Sequence, residues 1–246
     1  MTATGYDKDT DRSVPSPTSR RARGIIASVV SVVGELLITA GLVLGLFVVY
    51  SLWWTNVLAD REAGKQGDEV RKHWASPAPQ GPGELDTKDG IGFLHVPAMN
   101  SGEVLVEKGT DDEVLNKGVA GYYTKPVASD LPQDKKGNFT LAAHRDGHGA
   151  RFHNIDKIKD GDPIVFETKD TWYVYKVYAI LPETSKYNVD VLDDIPKESG
   201  KRKAGRYITL TTCTPVYTSN YRYIVWGELE RTEKVDADRT PPKELR

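Results

Sequence analysis

The chain carries a single cysteine, Cys213, at the end of the apolar run RYITLTTC (206–213). Thr214-Pro215 follows, and proline lacks the N–H that a strand interior needs, so the run stops there. A thiol at a strand exit lies where a rigid sheet presents a nucleophile to a cleft. The competing reading is a small buried apolar side chain, since free cysteine is among the most buried residue types. An ordinary thiol, with a pKa of ~8.5, is only a few per cent ionised at neutral pH, so a cysteine nucleophile needs a partner. Five histidines are available. His73 lies in a charged stretch, where it is expected to be solvated, and His95 falls within an alternating strand pattern. His144 differs: it ends the run NFTLAAH (138–144) and precedes polar, glycine-rich chain, so it sits at a strand end as Cys213 does. His144, Asp146, His148 and His153 together raise a metal site. The i,i+4 spacing of two histidines aims ligands at one ion only on a helix, however, and Gly147 and Gly149 oppose a helix. No metal and no cofactor is expected. Arg222, nine residues after Cys213, begins the next run across the turn TPVYTSNY (214–221). Taken alone it reads as a surface arginine. Beside a thiolate it has two possible jobs: holding the cysteine ionised, or donating to an oxyanion at an attacked carbonyl.

A sheet must position these side chains. Short apolar or alternating runs, rich in β-branched and aromatic residues, read as strands at IGFLHVPA (91–98), EVLVEKG (103–109), NFTLAAH (138–144), DPIVFET (162–168), TWYVYKVYAIL (171–181), RYITLTTC (206–213) and RYIVWGEL (222–229). Weak helical segments fall near 111–118 and 151–158. Pro182–Gly205 is the one long loop, and long loops in compact domains are often functional. Seven or more strands at this spacing predict an all-β, mostly antiparallel barrel or sandwich over residues 91–231. The charged tail 232–246, with Pro241-Pro242, is expected to be disordered.

The N-terminal part has a different character. Residues 1–24 are rich in Ser, Thr, Pro and Asp and are expected to form a disordered tail, while residues 25–54 form a long apolar run broken by one charge, Glu35. Leu36–Trp54 is free of charge, and at ~1.5 Å per residue it reaches roughly 28 Å, enough to cross a bilayer core of ~30 Å. That register places Glu35 near the headgroups, with Tyr50, Trp53 and Trp54 as an aromatic belt on the far side. Arg12, Arg20, Arg21 and Arg23 before the run outnumber Arg61 and Lys65 close after it, which orients the N-terminus toward the cytoplasm. A cleaved signal peptide, with Val57-Leu58-Ala59 as its processing site, is the rival reading, but an h-region of ~7–15 residues is far shorter than this run. Within residues 55–90, ADREAGKQGDEVRKHW (59–74) suits a broken juxtamembrane helix and SPAPQGPGELDTKDG (76–90) a Pro/Gly linker.

Composition removes several classes of function. Lys and Arg number 33 against 35 Asp and Glu, a net charge of −2 that argues against a general nucleic-acid binder. A mean hydropathy of −0.47 allows at most one spanning segment. One cysteine permits neither an intramolecular disulfide nor a cysteine-based zinc site.

TLTTC (209–213), Arg222 nine residues later, and LAAHR (141–145) resemble the signature of the sortases: a TLxTC strand, an arginine on the next strand, and a histidine after an earlier strand. The Thr-Pro after the cysteine, HGARFHNIDKIKDGDPIVFET (148–168) and IVWGEL (224–229) look most like the actinobacterial class E branch. The resemblance implies a closed eight-stranded β-barrel with short helices, preceded by one N-terminal transmembrane helix. It implies a cysteine transpeptidase in which Cys213 attacks the Thr–Gly bond of a C-terminal sorting signal on a surface protein, LAxTG-like or LPxTG-like. His144 would then move protons at the leaving and incoming amines, Arg222 would stabilise the oxyanion, and Thr212 would line the pocket. The acceptor would be an amine on a peptidoglycan precursor such as lipid II, and the catalytic domain would face the cell wall. A tyrosine implicated in choosing LAxTG is placed at Tyr123 by the Gly-x-Tyr pattern (121–123), with Tyr122 its rival; both could equally be packing residues. Ala143 stands where many relatives carry Gly. A non-catalytic scaffold barrel would not need Cys213, His144 and Arg222 together. An L,D-transpeptidase would carry Gly before its cysteine, where Thr212 stands, and a pilin-polymerising sortase would usually bring a lid and an apolar C-terminal segment, whereas residues 230–246 are polar.

Overall fold

The computed structural model describes residues 17–75 and 90–246. The expected tail up to residue 16, and residues 76–89 of the expected linker, lie outside them. The chain divides into two compact units, Met1–Tyr50 and Ser51–Arg246.

In the first unit, helix α1 spans Pro17–Val49, so helix begins within the stretch expected to be disordered. Its segment Ala27–Val49 is long and apolar enough to cross a membrane. Glu35 therefore lies inside the apolar helical segment rather than at its edge. The aromatic residues expected at the far interface fall in a π-helical turn, Tyr50–Trp54.

The second unit begins within that turn, at Ser51, and continues into helix α2, Thr55–Ala75, unbroken through Gly64 and Gly67 where a broken helix is expected. Tertiary packing overrides the poor propensity of glycine here. Ala59, Ala63, Gly67 and Val70 form one buried face at helical spacing. Small residues on that face let Phe93 and Leu105 approach, and Trp74 meets Phe93 edge-on at 5.5 Å.

The remainder is a closed barrel of eight strands: β1 Gly92–His95, β2 Glu103–Lys108, β3 Ala120–Tyr122, β4 Gly137–Ala142, β5 Pro163–Glu167, β6 Thr171–Ser185, β7 Arg206–Thr214 and β8 Tyr221–Lys234. Their order around the barrel is β1-β2-β3-β4-β7-β8-β6-β5. The β2–β3 and β4–β7 pairs are parallel and the others antiparallel. β3 was not read as a strand, because its three residues include Gly121 and are too few to show alternation. Alternate residues fill the interior: Leu94, Val106, Phe139, Leu141, Phe166, Tyr175, Ile208, Leu210 and Val225 form one cluster. Short helix α3, Asp112–Leu115, is capped by the Asp111 carboxylate on the Val114 N–H. The segment 151–158 contains only the 3₁₀ turn Ile155–Lys157.

The C-terminal tail is ordered, contrary to expectation. β8 continues to Lys234 and a 3₁₀ turn covers Lys243–Leu245. The charges that suggested disorder have partners far away in sequence. Arg231 pairs with Glu244 at 2.7 Å and Arg239 with Glu167 at 2.6 Å, while Val235 and Leu245 pack on Val165, Trp172 and Val174.

Candidate active site

Register decides which side chains meet. On β7 and β8, Leu210 faces Val225 and Thr212 faces Tyr223, and all but Thr212 belong to the barrel interior cluster. Strand alternation therefore turns Thr209, Thr211 and Cys213 outward, together with their partners Trp226, Ile224 and Arg222. Cys213 and Arg222 are a direct cross-strand pair. On the other side of β7 runs parallel β4, with Ala142 level with Thr211. His144, two residues beyond Ala142, leaves β4 level with Cys213. The lateral tie continues past the regular ladder, because the Thr212 hydroxyl donates to the Ala143 carbonyl at 2.7 Å.

Cys213, His144 and Arg222 open onto one cleft of about 700 Å³, which Tyr123 and Thr212 also line. Its far wall is the loop between β6 and β7. That loop is fixed by Val191 and Leu192 packed on Ile224 and Trp226, by Trp226 Nε1 donating to the Val191 carbonyl (3.2 Å), and by Asn138 Nδ2 donating to the Asp193 carbonyl (3.0 Å). Of the two rival tyrosines, Tyr122 points into the barrel interior and Tyr123 into the cleft. Thr211 Oγ1 donates its one proton to the Leu141 carbonyl at 3.1 Å, so in its 2.8 Å bond with Tyr123 the phenol is the donor. Burial raises the Tyr123 pKa, which keeps the phenol protonated. The Thr212 hydroxyl, by contrast, is committed to Ala143.

His144 is half-buried, and its Nε2 lies 2.9 Å from Asn116 Oδ1. An amide oxygen only accepts, so Nε2 carries the proton and Nδ1 is left for other work. Burial lowers the His144 pKa and the neighbouring His148 adds to this, while Asp112 and Asp146 oppose it; the ring is held toward its neutral form. Arg222 donates from Nη1 to the carbonyls of Ser219 (3.1 Å) and Tyr221 (2.9 Å) in its own turn. Among the described residues no carboxylate pairs with it, which leaves the rest of the guanidinium facing the cleft.

A sequence model of the sortase domain matches residues 94–230. The chain is 75% identical over 233 residues to Sortase SrtE2 of Streptomyces coelicolor, covering 92% of each. It is 45% identical over 212 residues to Sortase SrtE1 of the same organism, covering 85% of this chain and 60% of that one. The chain belongs to the sortase family. It is a class E sortase of the actinobacterial branch, and so a cysteine transpeptidase. Among solved structures, Sortase E1 from Streptomyces coelicolor with a tripeptide in its active site superposes with a TM-score of 0.60 at 44% identity, covering 68% of this chain and all of that one.

Three features of this sortase site escaped the sequence reading. Asn116 was only a loop residue in a weak helical segment, yet it meets His144. Arg145 is buried to 6% exposure and ties the exit of β4 to the exit of β7. It donates to Thr214 Oγ1 (2.8 Å) and the Cys213 carbonyl (3.5 Å), pairs with Asp156 (3.2 Å), and lies over the Tyr223 ring. Asp146 Oδ1 accepts from the Tyr217 N–H at 2.8 Å, joining the histidine loop to the β7–β8 turn. The adjacency of Arg145 and Asp146 to His144 was the available signal. Two of the remaining histidines are spent elsewhere. His153 Nδ1 bonds the Arg145 carbonyl, and His95 bonds Glu167 at 3.0 Å. Among the described residues, His95, Glu103 and Glu167 are the one grouping with ligand atoms close enough for a metal ion. Arg71 and Arg239 already occupy its carboxylates, so the grouping reads as an ion-pair network.

Proposed function

We propose that this sortase cleaves the Thr–Gly bond of an LAxTG-like sorting signal and transfers the acyl group to an amine of a peptidoglycan precursor such as lipid II. The observation that carries the reading is the Cys213–Arg222 cross-strand pair opening, with His144, onto one cleft. Cys213 Sγ attacks the threonine carbonyl as its proton passes to His144 Nδ1. Arg222, with guanidinium N–H groups not spent on its own turn, donates to the oxyanion. His144 gives a proton to the leaving glycine nitrogen as the C–N bond breaks, leaving a thioacyl-enzyme. The acceptor amine then attacks that carbonyl, His144 takes its proton, and the departing sulfur takes that proton back to restore the thiol and the neutral ring. A His144 pKa held below the ordinary value suits this return of the proton near neutral pH.

The preference for LAxTG rests on Tyr123. Its proton is committed to Thr211, so its oxygen offers lone pairs to the cleft. An alanine at the second signal position has a backbone N–H to give, and a proline has none. Thr212 borders the pocket and holds the histidine strand through Ala143. We further propose that α1 anchors the enzyme in the membrane with its N-terminus cytoplasmic and the unit from Ser51 onward outside, facing the wall. The apolar length of Ala27–Val49 and the arginines before that segment support this.

The test uses the full chain in detergent micelles with paired LAxTG and LPxTG peptides, an oligoglycine amine, and mass spectrometry. Transpeptidation product from LAxTG, absent with Cys213→Ala, is expected. Predominant product from LPxTG would overturn the signal assignment, and no product or thioacyl adduct from folded protein would overturn the catalytic one.

A further inference from the structure

Helix α2 lies outside the matched sortase domain, yet its first turns reach the loops that carry the active-site histidine. Three backbones converge there. Gly118 has φ +79°, and a Cβ on it would sit 3.0 Å from Ala59 of α2. Gly149 has φ +82°, and a Cβ on it would lie 3.3 Å from the Gly118 Cα. Only glycines allow this approach. Polar bonds lock the junction: Asn56 Oδ1 accepts from the Gly149 N–H at 2.9 Å, and Asp60 pairs with Arg151 at 2.9 Å. Arg151 Nε in turn donates to the Gly118 carbonyl at 2.6 Å. Gly118 closes the loop whose Asn116 meets His144 Nε2, while Gly149 and Arg151 belong to the loop that leaves His144.

We propose that Asp60 and Asn56 of α2 are positioning residues for the transpeptidase reaction, acting through Arg151, Gly118 and Asn116 to hold His144 at the cleft. The proposal rests on the assignment of His144 as the proton carrier. It makes the segment between the apolar helix and the barrel a working part of the enzyme rather than a spacer. The charged groups that act on His144 are His148, Asp112 and Asp146, and Cys213, Arg222, Tyr123, Tyr217, Lys125 and Lys186 share its cleft; none of these is on α2. A change at Asp60 therefore reaches His144 through loop geometry.

The experiment compares wild type, Asp60→Ala, Asp60→Asn and the solvent-facing α2 control Lys65→Ala, each as the full chain in micelles. It measures LAxTG transpeptidation as kcat and KM, and titrates the His144 imidazole by NMR on histidine-labelled protein. Asp60→Ala is expected to lower kcat by about tenfold or more with KM for the peptide unchanged, since small misplacement of a catalytic group costs rate rather than binding. The His144 pKa is expected to rise toward the ordinary value as the loop loosens and the ring hydrates; loss of the Asp60 charge alone would move it the other way. Asp60→Asn, which still accepts from Arg151, is expected to restore most of the rate, and Lys65→Ala to match wild type. An unchanged His144 titration in Asp60→Ala, or a rate loss that only follows the folded fraction, would overturn the proposal. A wild type without product overturns the catalytic reading instead, and the titration separates the two.

Discussion

Replacing Tyr123 with phenylalanine isolates one oxygen. Thr211 keeps its bond to the Leu141 carbonyl, so the variant loses only the bond that Thr211 accepts, and the ring keeps its packing on the Val191–Leu192 cluster. That bond is worth about 1 kcal/mol, or a fall of roughly 2–4 °C in Tm for a domain of this size. The effect on substrate choice is larger in proportion. If the Tyr123 oxygen accepts the alanine N–H, its loss removes about 0.5–1.5 kcal/mol from the LAxTG transition state, a two- to tenfold fall in kcat/KM. LPxTG has no N–H at that position, and its kcat/KM should hold or rise slightly. Both peptides compete in one reaction, and the product ratio by mass spectrometry reads the ratio of their kcat/KM values directly. An unchanged ratio, or an equal fall for both peptides, would refute the assignment of Tyr123 to the second signal position.

Arg222→Ala should lower kcat by roughly 10²–10³ while iodoacetamide still alkylates Cys213, because an oxyanion donor acts on the transition state and not on access to the thiol; equal turnover would remove Arg222 from that role. Glu167→Gln tests the ion-pair network behind β1. His95, Arg71 and Arg239 hold the Glu167 pKa down to about 2 against its own burial. A depressed carboxylate contributes stability that is complete above about pH 4.5 and lost as pH falls toward 2. Urea unfolding should therefore separate wild type from Glu167→Gln by a few kcal/mol at pH 7 and bring them together near pH 2; a constant gap would contradict the network. Truncation after Asp236 removes Arg239, Glu244 and Leu245 and should cost roughly 3 kcal/mol, read as a lower urea midpoint, since it strips one partner from buried Glu167.

Strand alternation was legible wherever a run was long enough to repeat. β6 and β8 carried that signal over more than two full repeats, whereas β3 has three residues, one of them glycine. The charged segments were misread for a different reason. A run such as ADREAGKQGDEVRKHW has low hydrophobicity by composition, but three of the four residues on its buried face, Ala59, Ala63 and Gly67, count for little on a hydropathy scale. Their value lies in being small, so that Phe93 and the Gly118 backbone can approach. The tail was misread in the same way, because Arg231 and Arg239 look solvated until Glu244 and Glu167 are placed beside them.

The site divides along the same line. Cys213, His144 and Arg222 stand out in the sequence because each lies within two residues of a strand end, and a strand end is a local property. Choosing Tyr123 over Tyr122 needed a parity argument. Tyr122 pairs with Leu141, which belongs to the interior, so the next residue must face out. Once β3 is recognised as a strand the two faces follow, and without it only the Gly-x-Tyr pattern separates the two tyrosines. Asn116, Arg145 and the contacts of α2 have no such local mark. Asn116 is 28 residues from His144, and Arg145 reaches Thr214 across 69, so only the closed barrel brings them together. What positions a side chain at a strand end is therefore less local than the side chain itself, and a domain cut to the matched family boundaries keeps Cys213, His144 and Arg222 while discarding Asp60, the partner of Arg151 in the histidine loop.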